Sequence, residues 1–185
     1  MSSFTFIQRI RNKIKIKGIN NTIDIKDKNR LKIVNSTIDI KGSNNTLIIK
    51  EDVIIRDSTI ELHGENCTII ISAHCMVGHN CYLSAKENAT KLELGEYCGL
   101  SRNIKIMTSD GHPIFQNNKQ INLSKYISIN NHVWLADNVT ILKGVEIGTN
   151  SVVGINSTLT KSIASEMVAV GNPAKIIKNN IKWEK

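Results

Sequence analysis

One histidine sits where the chain's regular pattern fails. His112 lies in the stretch 107–126, MTSDGHPIFQNNKQINLSKY, with Asp110, Gly111 and Pro113 beside it. Nothing else there titrates near neutrality, and an imidazole is the side chain suited to taking up and returning a proton at cellular pH. A second group, His74-Cys75 followed by His79 and Cys81, has the residue types of a metal site. Trp134 is one of only two tryptophans, and an outward-facing indole is a platform for a sugar ring or an apolar arm. The other, Trp183, lies in a polar tail and receives no role.

The elements that must hold these residues are read from internal repetition. The chain has 31 Ile and 22 Asn in 185 residues and only 4% aromatics, a composition for thin aliphatic layers with many tight corners. Ile33–Ile49 (IVNSTIDIKGSNNTLII) recurs as Ile55–Ile71 (IRDSTIELHGENCTIII), 22 residues later, and part of it appears earlier at Ile14–Ile25. Each copy reads as two alternating strands joined at a Gly and Asn corner. From Ile129 the period becomes six: INNHVW, LADNVT, ILKGVE, IGTNSV, VGINST, LTKSIA. The same frame fits Ile71–Leu83 and Leu94–Ile106. Six residues of α-helix advance about 600°, so a helix would carry each repeat about 120° off the last one. A strand and a corner per hexad keep the aliphatic first positions inward, which is a β-solenoid. The frame also separates the metal-like group, because Cys75 and Cys81 fall on inward positions and His74 and His79 on outward corners. Buried thiols in small core slots are the reading for those cysteines. A further break is expected at Ser84–Leu92.

The hexads resemble the [Ile/Val/Leu]-[Gly/Ala]-x-x-[small]-x pattern of the left-handed parallel β-helix (hexapeptide-repeat) acyltransferases, in which about three hexads make one triangular coil. The loop His112, Asn131-His132-Val133-Trp134 and Gly171-Asn172-Pro173-Ala174-Lys175 resemble features of the xenobiotic, galactoside and capsular-polysaccharide O-acetyltransferases within that superfamily. The resemblance implies an all-β, left-handed parallel β-helix with a protruding loop at 107–126. It implies one domain over 1–185, with looser 22-residue repeats over 13–70, hexads over 71–164 and a tail over 165–185; a period of 22 exceeds three hexads, and longer corners are expected in those first coils. It also implies an acetyl-CoA-dependent transferase acting on a carbohydrate hydroxyl, as in a capsule, a lipopolysaccharide or a sialic-acid-type glycan. In that family the loop histidine is the general base of a direct transfer without an acyl-enzyme. His112 then takes the catalytic role, Asp110 is placed to orient it, and Trp134 meets acceptor or pantetheine. Ala136, Ile155, Thr160, Lys161, Pro173, Lys175 and Lys178 match positions that line CoA, with the lysines suited to its phosphates. Asp137 stands where these enzymes often carry Ser. A homotrimer with sites between subunits is implied as well, and no metal.

Composition narrows the alternatives. The net charge is +8, and nine basic residues between Arg9 and Lys32 face only Asp24 and Asp27. Lys13, Lys15 and Lys17 alternate with Ile14 and Ile16, so they read as the wet face of a strand. The stretch lacks aromatic residues to stack bases, which argues against nucleic acid. No apolar run approaches the length of a membrane helix, and Met1–Arg11 has no continuous hydrophobic core or cleavage site of a signal peptide. A cytoplasmic protein is the expectation, and four cysteines are too few for a disulfide scaffold. Other classes remain open: an N-acetyltransferase of an amino sugar or antibiotic, a γ-class carbonic anhydrase using His74, His79 and a poorly spaced His63, or a non-catalytic scaffold.

Overall fold

The computed structural model describes residues 11–27 and 30–184; all but Arg11 of the N-terminal segment read above as lacking a signal peptide, and Arg9 and Lys28 of the basic block, lie outside them. The chain winds as a three-sided column. The first face carries Lys13–Lys17, Thr37–Ser43, Thr59–Glu65, Tyr82–Asn88, Lys105–Met107, Thr140–Ile141 and Thr158–Leu159, stacked in that order. The second face runs from Thr22–Ile25 to Glu146–Ile147, and the third from Lys32–Val34 to Val168–Gly171. All pairings between successive coils are parallel. The all-β parallel solenoid expected from the hexads is the fold observed.

Strand alternation explains the core. On the first face Ile38 pairs with Ile60, Ile60 with Leu83, Leu83 with Ile106, Ile106 with Ile141 and Ile141 with Leu159, each fully or almost fully buried. Like side chains therefore lie one rung apart, about 4.8 Å, along the column axis. The hexad first positions Ile129, Leu135, Ile141, Ile147, Val153 and Leu159 are all buried, as are Val133, Val139, Val145, Ser151 and Ser157 at the fifth.

Corners account for the asparagines. Asn35, Asn80, Asn103, Asn138 and Asn156, with Asp57, all have positive φ at the corner between the third and first faces. Asn tolerates that left-handed conformation better than most residues, and the column adds its own bonds. Asn103 Nδ2 donates to Asn138 Oδ1 and Asn138 Nδ2 to Asn156 Oδ1, both at 2.9 Å.

Two expectations are corrected. The 22-residue coils do not chiefly lengthen corners: the first-face strands Thr37–Ser43 and Thr59–Glu65 grow to seven residues, against two for Thr140–Ile141. Glycine is required there because the coils approach so closely; a Cβ on Gly42 would lie 1.9 Å from the Gly64 carbonyl oxygen. Nor is Ser84–Leu92 a break. Its residues 84–88 continue the strand Tyr82–Asn88 in register with Thr59–Glu65, with Ala85 inward opposite Leu62 and Ser84 outward opposite Glu61, and Lys91–Leu94 resumes the second face.

The repeat does stop after Met107. The excursion leaves the corner between the first and second faces, carries a small hairpin of Phe115–Gln116 with Lys119–Gln120, and rejoins the second face at Ile127. Asn117 and Asn118, both at positive φ, make its two-residue turn.

Candidate active site

The loop is pinned from below, from within and from above. Below, Glu87 reaches both of its ends, accepting from the Ser109 hydroxyl and from Ser124 N. Within, Asn122 is buried and makes three bonds: Oδ1 accepts from Ile114 N at 2.7 Å, and Nδ2 donates to the His112 carbonyl at 2.8 Å and to Asp110 Oδ2 at 2.9 Å. From the coil above, Lys143 Nζ donates to Asp110 Oδ2 and to the Asn122 carbonyl, both at 2.6 Å. The Lys143 ammonium, with a smaller contribution from Asn122, holds the Asp110 carboxyl below the usual aspartate range against the opposing effect of its partial burial.

His112 is thus exposed on a loop whose backbone is fixed on either side of it. Asp110 does not bond its ring; the carboxylate is engaged by Lys143 and Asn122 and positions the loop instead. Glu87, Asn122 and Lys143 escaped the sequence reading. The contacts of Glu87 and Lys143 with the loop span 21 to 37 positions of chain, which no local pattern records.

Trp134 opens a strand of the third face, outward and 39% exposed, with Nε1 donating to Ser101 Oγ at 3.1 Å. Trp183 joins it: its ring stacks on His132 at 4.1 Å between centroids, lies 6.0 Å from the Trp134 ring, and donates from Nε1 to the His132 carbonyl at 3.0 Å. The two indoles, with Met76, Gly99, Leu100 and Ser101, line a recess of about 420 Å³. An indole in an otherwise polar tail was the available signal for Trp183.

The other expected ligand positions divide in two. Ala136 and Ile155 lie on the corner between the third and first faces, at the edge of the Trp134 face. Pro173 follows the cis peptide after Asn172, in the turn leading to Ala174–Lys178, which carries Lys175 and Lys178 back antiparallel along Val168–Gly171. Gly171 N donates to Ser157 Oγ at 2.9 Å and ties that turn to the same corner. Thr160 and Lys161 follow the first-face strand Thr158–Leu159, on the corner from which the His112 loop projects two coils earlier. Asp137 accepts from Arg102 Nη2 at 2.5 Å, Nε at 3.0 Å and backbone N at 2.9 Å, so it ties two coils together at the position where the family resemblance leads to the expectation of Ser.

In a three-sided column the corner between the first and second faces lies opposite the third face. One chain therefore keeps Asp110 and His112 on one side and Trp134, Ala136, Pro173 and Lys175 on the other. Every hydrogen bond from the loop to the rest of the chain goes to its own corner or the adjoining faces.

The histidines considered for a metal do not converge. His74 stacks on Tyr97 and faces Asp52 at 3.5 Å, His79 bonds Asp57 at 2.5 Å on a different corner, and His63 lies on the first face. Among the described residues one group of three possible ligands exists, Asp39, Glu61 and His63. There His63 turns Nδ1 to Glu61 (3.2 Å) and Nε2 to Asp39 (3.6 Å), while Lys41 and Lys86 neutralise the two carboxylates, an arrangement of alternating charges. The four cysteines are buried and form no disulfide, and burial pushes the Cys67 and Cys81 thiols up.

No family model matches the chain. Over 92 residues, 49% of this chain and 30% of the relative, it is 41% identical to a polysialic acid O-acetyltransferase of Escherichia coli O1:K1 / APEC. Over 121 residues it is 40% identical to a polysialic acid O-acetyltransferase of Neisseria meningitidis, covering 64% of this chain and 55% of that one. These alignments span between about a third and about half of the curated relatives. The crystal structure of the polySia-specific acetyltransferase NeuO superposes with a TM-score of 0.78 at 31% identity, covering 96% of this chain and 90% of that one.

Proposed function

The chain belongs to the left-handed parallel β-helix (hexapeptide-repeat) acyltransferases, and from that membership we propose that it transfers the acetyl group of acetyl-CoA to a hydroxyl of a carbohydrate, of the sialic-acid type in particular. The observation that carries the proposal is the pinned loop: a base must be held in place, and the backbone on both sides of His112 is held by Asn122, Glu87 and Lys143. In the proposed reaction His112 takes the proton of the acceptor hydroxyl as the oxygen attacks the thioester carbonyl, then returns that proton to the departing CoA thiolate. Direct transfer is consistent with the cysteines, since all four are buried away from the loop's exposed histidine and burial pushes the Cys67 and Cys81 thiols up, further from the nucleophilic thiolate.

The acetyl donor lies, in this reading, along the third face and its corner, with Trp134, Ala136 and Ile155 beside the pantetheine, and Pro173, Lys175 and Lys178 toward the nucleotide. Thr160 and Lys161 face the donor from the loop's side. Because His112 and Trp134 lie on opposite sides of one column, a second copy must supply one of them, which supports a homotrimer with three sites between subunits. A CoA donor also places the reaction in the cytoplasm. No helix among the described residues is long and apolar enough to cross a membrane.

The test is thiol release from acetyl-CoA with polysialic acid, free sialic acid, a galactoside and an amino sugar as acceptors, using wild type and His112→Ala, with the oligomeric state measured by light scattering. The expected result is turnover on a sialic-acid acceptor by a trimer, lost by at least about 100-fold in the variant. Equal turnover by a correctly folded His112→Ala protein removes the base.

A further inference from the structure

Parallel register turns outward side chains into columns, and one column of the first face is basic from its first coil to its fourth. Lys17 pairs with Lys41, Lys41 with His63 and His63 with Lys86. The first strand adds Lys13 and Lys15, both exposed on the same side. Like charges placed directly against each other on adjacent strands are destabilising, so Lys17 over Lys41 is a poor choice for solubility alone. Carboxylates temper only part of the column: Asp39 pairs with Lys41 at 3.1 Å and Glu61 with Lys86 at 2.8 Å. Among the described residues, Lys13, Lys15 and Lys17 form no salt bridge, although Asp39, already engaged by Lys41, lies opposite Lys15 in the register. Nor do Arg11, Lys32 and Arg56, which line a recess of about 380 Å³ on the third face of the same coils.

The column leads to the loop. Lys86 N donates to Thr108 Oγ1 at 3.0 Å, and Thr108 is where the chain leaves the first face toward His112. From the Lys17 rung to the loop is four steps of about 4.8 Å, roughly 19 Å. A single sugar does not span that distance, whereas a charged polymer does. Bases would find little to stack on, because Tyr82, the aromatic residue of this face, is half-buried with its hydroxyl on Glu61.

We propose that the first face is a binding track for an acidic polysaccharide, whose carboxylates lie along Lys13, Lys15, Lys17, Lys41 and Lys86 while one of its sugars reaches the His112 loop. This rests on the transferase reading for the chemistry at the loop, but the binding step stands without it.

The experiment measures binding of fluorescent polysialic acid and of a sialic-acid dimer by anisotropy over a salt series, with acetyl transfer to both followed in parallel. The variants are the triple Lys13→Ala/Lys15→Ala/Lys17→Ala protein and the corresponding triple Arg protein, neither of which touches the loop. The polymer's Kd and KM are expected to rise at least about tenfold in the Ala variant, with a shallower salt dependence, and to return to wild-type values in the Arg variant. The KM for acetyl-CoA, the kcat and all constants for the dimer are expected to hold. Wild-type polymer affinity in the folded Ala variant overturns the track. So does competition by a DNA duplex as strong as that by the polysaccharide, which would mark a nucleic-acid surface. Track-dependent binding without acetyl transfer keeps the track and removes the reaction proposed for the loop.

Discussion

Replacing Asn122 by Ala isolates the contribution of the loop's internal frame. The substitution removes two bonds to neutral backbone groups and one to the Asp110 carboxylate, all at 2.7–2.9 Å and all from a buried side chain. A neutral bond is worth about 1 kcal/mol net and one to a charged group about 2, so the loop loses about 3–4 kcal/mol of local order. The column should barely notice, since none of these bonds is part of a coil-to-coil ladder. The expected outcome is a thermal midpoint within about 2 °C of wild type together with faster amide exchange confined to 108–126. Turnover should drop about 100-fold, the usual consequence of displacing a reacting group by about 1 Å. Asn122→Asp is the informative companion: it keeps an acceptor for Ile114 N but sets a second carboxylate against Asp110, so it should exchange as fast as Ala. Steady-state thiol release and hydrogen exchange on the same preparations decide the matter. Wild-type turnover with accelerated loop exchange would show that the imidazole proposed as base does not depend on this frame, and the reasoning fails.

Four further outcomes follow from the same geometry. Gly42→Ala combines φ +107° with a Cβ 1.9 Å from a carbonyl oxygen, so it should destabilise the column by about 3–4 kcal/mol and lower the melting temperature by roughly 10 °C. Gly111→Ala, also at positive φ but with open space around it, should cost only about 1–2 kcal/mol in the same melts. Trp183→Ala should raise the KM for acetyl-CoA about tenfold at nearly constant kcat, because it strips one wall from the apolar recess but leaves the His112 loop alone; an unchanged KM removes Trp183 from the donor site. The pH dependence of loop anchoring follows from the lowered Asp110 pKa. A carboxyl depressed in the folded state stabilises fully above its unfolded value, about 3.9, and loses that contribution as pH falls through the lower folded value. Limited proteolysis at 108–126 should therefore be flat from pH 8 to 5 and rise only below about 4, whereas loosening between pH 7 and 5 would contradict the Lys143 anchor.

Aliphatic periodicity was enough to read the column, because each inward position repeats a local demand: Leu135, Ile141 and Ile147 each fill the same slot one face further on. Corners were legible for a similar reason, since Asn138 and Asn156 answer a backbone requirement of their own residue. The site was legible only in part. His112 could be singled out by the failing repeat, yet its supports come from coils before and after the loop. Glu87 fell in a segment misread as a second interruption because Ala85, a small residue in the inward row of Ile40 and Leu62, breaks the run of large aliphatic side chains. Alternation assigned Lys17 to a wet face correctly, but its stacking on Lys41 depends on register between coils 24 residues apart, which a single strand does not reveal.

The strand Ala174–Lys178 runs opposite to the one it borders, unlike every pairing beneath it. A coil arriving at that end finds a neighbour of the wrong polarity with Lys175 and Lys178 on it, so the stack is sealed there. Growth by duplication has only the opposite direction available, below the loop, where a 22-residue unit can be inserted without disturbing any residue that holds His112. On the proposed track, reach along the polymer and chemistry at one of its sugars are then independent quantities: one is set by counting coils, the other by a single excursion of the chain.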